Sequence, residues 1–181
     1  MKKVDLSKFR NPEYQPGSFL KRSLWFLANA LLLKSSHPFS FIRVMGLKIF
    51  GAHVGKGCVI RPGVNIKHPW LLSIRNNTWI GENTWIDNLT QVDIGSNVCL
   101  SQGVTLITGN HRWDNESFDL TLHPIQIADG AWIGAKSTLL PGAQIENHAV
   151  IAAGSVVHHT IPAYEIWQGN PAVMIKKRII H

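Results

Sequence analysis

At 181 residues, with 45% hydrophobic and 16% charged side chains, the chain is long and apolar enough for one domain with a continuous core, which excludes a disordered chain. Its two cysteines, Cys58 and Cys99, form no CxxC pair and no disulfide framework, and they read as reduced packing residues of a cytoplasmic protein. The net charge of +7 lies in residues 1–50, which hold nine Lys/Arg against two Asp/Glu, while residues 51–181 hold nine of each; no groove-reading motif accompanies it, so nucleic acid is not an expected partner.

Residues 1–17 look extended, because Pro12, Pro16 and Gly17 break any helix, and no secretory signal is visible. Ser18 can cap a helix running to about Lys34, with Leu20, Leu24, Leu27 and Leu31 on one face and His37-Pro38 ending it. The apolar run Leu24 to Leu33 is too short to span a bilayer. A second short helix is expected over 40–50. Together these helices would cap the open edge of whatever follows, and residues 1–50 form an N-terminal cap. Peripheral membrane contact through Trp25, Phe26 and the basic residues, at the inner face of the membrane, is the alternative reading of the same pattern.

From Val54 onward aliphatic residues recur every six positions: Val54, Ile60, Ile66, then Ile74, Ile80, Ile86, then Ile94, Leu100, Leu106. The series resumes at Ile127, Ile133, Leu139, then Ile145, Ile151, Val157. Four residues after most of them stands a small or β-branched residue, such as Thr78, Val98, Ala131 or Ser155. A six-residue period fits neither an amphipathic helix nor a hairpin array. It suits an all-β triangular prism with one short strand per six residues, the aliphatic residue inside and the small one at the corner. Three steps depart from six: Ile66 to Ile74, Ile86 to Ile94, and Leu106 to Ile127. Each follows a third rung, so all three fall on one edge of the prism. The expectation is a parallel β-helix of about five coils over residues 51–160, with a projecting loop at 107–126 and a tail from 161 to 181.

The outward residues preceding the second rung of each coil (Val59, Trp79, Cys99, Trp132, Val150) are apolar throughout, where polar residues are the rule. Such a ladder marks a partner surface, and a cyclic homotrimer is the natural closed assembly of prisms.

The hexapeptide series resembles the hexapeptide-repeat acyltransferases. Trp132-Ile133-Gly134-Ala135, Leu140-Pro141-Gly142-Ala143, the run Ile151 to Val157 and Gly169-Asn170-Pro171-Ala172 are similar to the maltose, galactoside and nodulation O-acetyltransferase branch. Asn11-Pro12-Glu13-Tyr14 with Pro16-Gly17, Leu24-Trp25-Phe26, Trp85 to Leu89 and Thr108-Gly109-Asn110-His111 extend the resemblance to the colanic-acid-type acetyltransferases, across essentially the whole chain. The resemblance implies a left-handed β-helix and direct acetyl transfer from acetyl-CoA to a sugar hydroxyl, with no metal, in active sites between the subunits of a trimer.

His111 stands where the long insertion leaves the third coil, and the resemblance implies that it is the general base. Asn88 matches an acceptor- or acetyl-proximal residue in the related enzymes, and also reads as a turn Asn at the insertion corner. Asp87 and Asp114 are candidates for orienting His111 or binding a sugar hydroxyl, with Trp113, Phe118 and His123 as stacking or, more simply, packing residues. For the cofactor, Ala135 and Ala153 are small enough for close approach, Trp132 would wall the groove, and His158, His159 and Lys176 match nucleotide-contacting positions. Val173 and Lys176 stand where related enzymes carry arginines, which leaves Lys177 and Arg178 as substitutes. The acceptor expected from the resemblance is a sugar in a lipid-linked exopolysaccharide precursor; a free sugar or an antibiotic is the alternative. Two other readings compete. A zinc-dependent carbonic-anhydrase-like β-helix needs three histidine ligands, typically with an H-x4-H pair that this sequence lacks. A non-catalytic scaffold would have no use for His111 and the loop.

Overall fold

The fifteen aliphatic residues of the sixfold series are at most 5% exposed and form one column of side chains inside a triangular β-helix. The structure, a computed structural model, describes residues 3–181; Met1 and Lys2 of the extended start lie outside the described residues. Successive coils pair in parallel and in register. On the second face of the prism Ile60 sits beside Ile80, Ile80 beside Leu100, Leu100 beside Ile133 and Ile133 beside Ile151. Each such residue contributes about 1.5–3 kcal/mol of apolar burial. Most of the small residues four later are also inside, and the buried polar ones Thr78, Thr84, Ser137 and Ser155 are hydrogen-bonded there. Thr78, fully buried, donates to the Gly95 carbonyl (2.7 Å) and accepts from the Val98 N–H (3.2 Å), so it joins the ladder instead of opposing it. At the turns, Gly57 and Gly63 adopt φ of 69° and 76° directly beneath Asn77 and Asn83 at 56° and 57°, residue types that tolerate the left-handed region.

The first face has six strands, the second seven and the third five. The ladder continues past Val157, where the sixfold series stops. Thr160–Ile161 pairs with Gln144–Ile145, and Ile166 and Trp167 of Glu165–Gly169 pair with Val150 and Ile151. The step from Val157 to Ile161 is four residues, so a corner has been shortened and the period hides the sixth coil. Ala172–Lys177 then folds back antiparallel on Glu165–Gly169, and residues 161–177 close the second face where a tail was expected.

Helix α1 (Phe19–Ala28) starts at Ser18, whose hydroxyl accepts from the Lys21 N–H. It runs into a π-helical segment, Asn29–Leu33, and α2 spans Ser40–Ile49. Both lie under the first coil, whose lower edge has no strand beneath it. Ser40 Oγ accepts from the Ile60 N–H (2.8 Å), Trp25 Nε1 donates to the Ile66 carbonyl (2.8 Å), and the Gly63 N–H donates to the Leu33 carbonyl (3.1 Å). Fully buried Arg43 donates to the carbonyls of Ile60, Ser35 and His37. The open edge is thereby satisfied by helix side chains and backbone, which is how a β-helix avoids end-to-end aggregation. The side of α1 and its π-helical continuation that does this carries Trp25, Asn29 and Leu33; the stripe Leu20, Leu24, Leu27, Leu31 faces the opposite way and is exposed. The apolar column of the second face is not covered by the cap, and Trp79 and Trp132 are 60% and 48% exposed.

The first eight-residue step bulges outward as the turn Pro69–Leu71 and is clipped from the coil above. Asn88, fully buried, accepts from the His68 N–H (3.0 Å) and donates to the His68 carbonyl (2.6 Å), imitating a strand partner. Asn88→Ala strands both buried backbone groups and should cost about 1–3 kcal/mol, read as a lower urea midpoint. An unchanged midpoint would contradict this role.

Candidate active site

The long insertion leaves the prism at the same corner, one coil above Asn88. Its base is fixed by buried Thr108, whose hydroxyl accepts from the Leu89 N–H (2.8 Å) and donates to the Asp87 carbonyl (3.1 Å). Gly109–His111 then pairs antiparallel with Leu120–Leu122, His111 opposite Leu120, so the loop is a hairpin held at its root.

His111 sits at the end of that hairpin strand. Its ring stacks on Phe118, with centroids 4.3 Å apart and planes 10° from parallel, and Nδ1 lies 3.0 Å from the Phe118 carbonyl. A carbonyl can only accept, so Nδ1 carries a proton, and in the neutral ring Nε2 is left with its lone pair. Among the described residues no side chain or backbone group bonds to Nε2. Phe118 reaches this position at φ 50°, a left-handed conformation rare for an aromatic residue and one that commits the loop to this turn. The ring is therefore oriented by a main-chain carbonyl; neither Asp87 nor Asp114 orients it, as the sequence had suggested they could. Asp87 pairs with Lys67 (2.9 Å), and Asp114 is exposed at the loop tip beside Trp113.

A segment that sequence reasoning missed completes the wall of the site. Residues 5–10 run along the loop: the Asp5 N–H donates to the Glu116 carbonyl (2.8 Å), Lys8 pairs with Glu116 (2.6 Å), and the Arg10 N–H donates to Asp119 (3.0 Å). Phe9 brings its ring to 5.9 Å from that of His111. The Ser117 hydroxyl, the Arg10 N–H and the charges of Arg112 and Arg10 hold the Asp119 carboxyl below the usual range, so it anchors the segment as an anion. These contacts join residues more than a hundred positions apart, and no periodicity announces them.

Asn88 is withdrawn from the acceptor side, since both ends of its amide are engaged by His68. His68 is itself part of a clip. Tyr14 bonds its Nε2 (2.8 Å), Trp70 stacks on it (4.9 Å), and Lys21 lies over Trp70 (4.3 Å). The signature Asn11-Pro12-Glu13-Tyr14 thus fastens the N-terminal segment to the insertion corner.

The cofactor candidates divide between two edges. Ala135 and Ala153 are stacked at the corner between the second and third faces, where the Gly154 N–H donates to the Ala135 carbonyl (2.8 Å). A Cβ on Gly134 would lie 2.5 Å from the Ala153 nitrogen, so this corner admits no larger residue. Trp132 projects from the second face, its Nε1 donating to Ser101 (2.9 Å). His158 and His159 lie on the other edge, two coils above the His111 hairpin, with His159 edge-on to Trp167. Lys177 pairs with Glu165 (2.6 Å), and Arg178 donates to the carbonyls of Gly130 and His148 (both 3.0 Å), so Arg178 is a clamp and not a free phosphate ligand. Lys176 is exposed on the last strand.

Residues 124–159 match the family described as bacterial transferase hexapeptide (six repeats). The chain is 33% identical over 177 residues to the colanic acid biosynthesis acetyltransferase WcaF of Escherichia coli (strain K12), covering 97% of each. It is 33% identical over 132 residues to gamma carbonic anhydrase 2, mitochondrial, of Arabidopsis thaliana, which covers 70% of this chain but 42% of that protein. A galactoside acetyltransferase in complex with coenzyme A superposes with a TM-score of 0.79 at 26% identity, over 87% of this chain and 80% of that one.

Burial, with help from Lys67 and Arg22, pushes the His68 pKa down to about 4, whereas the unfolded chain titrates near 6.5. The unfolded state therefore takes a proton that the folded state refuses between these values. Stability should fall as pH drops from 6.5 to 4, by an amount on the order of 3 kcal/mol for this group. Urea midpoints at pH 7, 5.5 and 4 check this, and His68→Gln should flatten the slope; an equally steep slope in the variant would place the effect elsewhere.

Proposed function

The chain belongs to the hexapeptide-repeat acetyltransferases, and from that membership we propose that it transfers acetyl from acetyl-CoA to a sugar hydroxyl with His111 as general base. The observation that carries this reading is the His111 ring, held through Nδ1 by the Phe118 carbonyl with Nε2 unpartnered. Nε2 takes the proton of the acceptor hydroxyl as its oxygen attacks the thioester carbonyl. The tetrahedral oxyanion, steadied by a backbone N–H, collapses with loss of the C–S bond, and the proton passes from His111 to the departing thiolate. No acyl-enzyme is needed: Cys58 and Cys99 lie on the second face and its turns, away from the loop.

The assembly we propose is a homotrimer in which acetyl-CoA lies in the groove between two prisms, so that each site draws on two subunits. Exposed Trp79 and Trp132 on the second face support that contact. It also accounts for the split of the cofactor candidates. Ala135 and Ala153 on one edge and His158, His159 and Lys176 elsewhere would meet across a shared groove instead of within one chain. The acceptor we favour is a sugar of a lipid-linked exopolysaccharide precursor, in keeping with the name of the relative that matches along nearly the full length. Trp113, Asp114 and Asp87 at and below the loop are its candidate contacts.

His111→Ala should lower turnover by about 100-fold or more, read as free thiol released from acetyl-CoA across a panel of sugars and lipid-linked oligosaccharides. Its melting temperature and sedimentation should not change, because the ring lies on a loop outside the core. Turnover within a few-fold of wild type would remove His111 from the chemistry.

A further inference from the structure

The capping helices have two sides, and only one is used. Trp25, Asn29, Leu33, Arg43 and Leu47 face the first coil. On the far side of α1 and its π-helical continuation the stripe Leu20, Leu24, Leu27, Leu31 is 51–72% exposed, with Phe19 and Phe26 beside it. On the far side of α2, Phe41, Met45 and Ile49 are 57–74% exposed. Helix α2 packs against the π-helical segment that continues α1, Gly46 against Leu32, which brings the two outward stripes to the same end of the prism. The backbone groups of Ile60 and Ile66 that the helices satisfy are those at the lower edge of the prism. The apolar surface therefore looks out along the prism axis, away from the coils. Side-by-side association through the second face would leave it bare and would bring the surfaces of neighbouring prisms into one plane.

Charge singles out the same end. Residues 14–81, which make up the cap and the lower coils, contain nine Lys/Arg and not one Asp or Glu. Residues 82–181 contain five Lys/Arg and nine Asp/Glu. The molecule is thus polarised along its axis, with Arg22, Lys34 and Lys48 exposed on the helices that carry the apolar stripes. Two copies meeting end to end would press like charges together. An anionic bilayer offers the complement to both features at once, hydrocarbon for the leucines and headgroup phosphates for the cations. No helix among the described residues is long and apolar enough to cross a membrane, so the helices would lie in the interface.

We propose that the capped end of the β-helix is a docking face for the surface of an anionic lipid bilayer, with α1 and α2 lying flat in the headgroup region. The inference does not depend on acetyl transfer, since it uses no residue of the candidate site. It is tested by flotation of the full chain with phosphatidylcholine vesicles, alone or mixed with phosphatidylglycerol. The protein should float with the anionic vesicles and about tenfold less with the neutral ones, and salt of about 0.5 M should release it. The triple change Leu24→Ser, Leu27→Ser, Leu31→Ser should cut flotation about tenfold while leaving sedimentation and thiol release with a soluble acceptor unchanged. Absence of flotation with anionic vesicles overturns the proposal, as does flotation that the triple variant retains. A wild-type mass that the same variant halves also overturns it, because the face would then be covered by a second copy.

Discussion

Every coil of this protein is bonded to the next in register, so a residue that does not fit the six-residue step can go nowhere but out at a corner. Inside, Ile80 must lie on Leu100 and Leu100 on Ile133, and a displaced rung would open a cavity and break backbone pairs together. All three insertions leave at one edge. That edge becomes the place where the chain is free to build: the His68 turn on the first coil, its Asn88 clip on the second, and the His111 hairpin on the third. The regular part of the molecule is a ruler, and the site is hung from one of its marks.

Hanging the proposed base on a loop raises the question of rigidity, and several independent fastenings answer it. Thr108 ties the root of the hairpin to the coil below, the strand pair Gly109–His111 with Leu120–Leu122 stiffens it, and residues 5–10 bind its outer side. The last of these closes a circle through the molecule, because the same N-terminal segment is pinned by Tyr14 to His68 at the insertion corner. Cap, first coil and the His111 loop are thus one connected unit.

What the sequence disclosed follows from the same physics. The interior rungs were legible because each is forced to be aliphatic by its neighbours above and below, and the displaced corner steps were legible as departures from that rule. Helix α1 was legible from Ser18, but its orientation was not: a stripe of four leucines normally marks the buried side, and here Trp25 donates to the Ile66 carbonyl and Asn29 to the side-chain oxygen of Asn65. Asn88 fitted two roles equally because the bonds that decide between them run to backbone atoms, which carry no residue identity. The Phe118 carbonyl was invisible for that reason too. The sixth coil was hidden by a four-residue corner, although Ile161 and Trp167 restore the six-residue step. His111 was singled out as a candidate through resemblance and its place at the start of the insertion; what holds its ring came only from the structure.

Whether His111 is set up as a base turns on where its ring proton sits. Nitrogen-15 NMR of histidine-labelled protein, with the His111 signals assigned by their loss in His111→Gln, reads this directly at a pH where the ring is neutral. With Phe118 accepting from Nδ1, the Nδ1 signal should be that of a protonated, pyrrole-type nitrogen and the Nε2 signal that of a bare, pyridine-type one. The opposite pattern, with the proton on Nε2, would turn a donor toward the acceptor hydroxyl and contradict the assignment of His111 as the base.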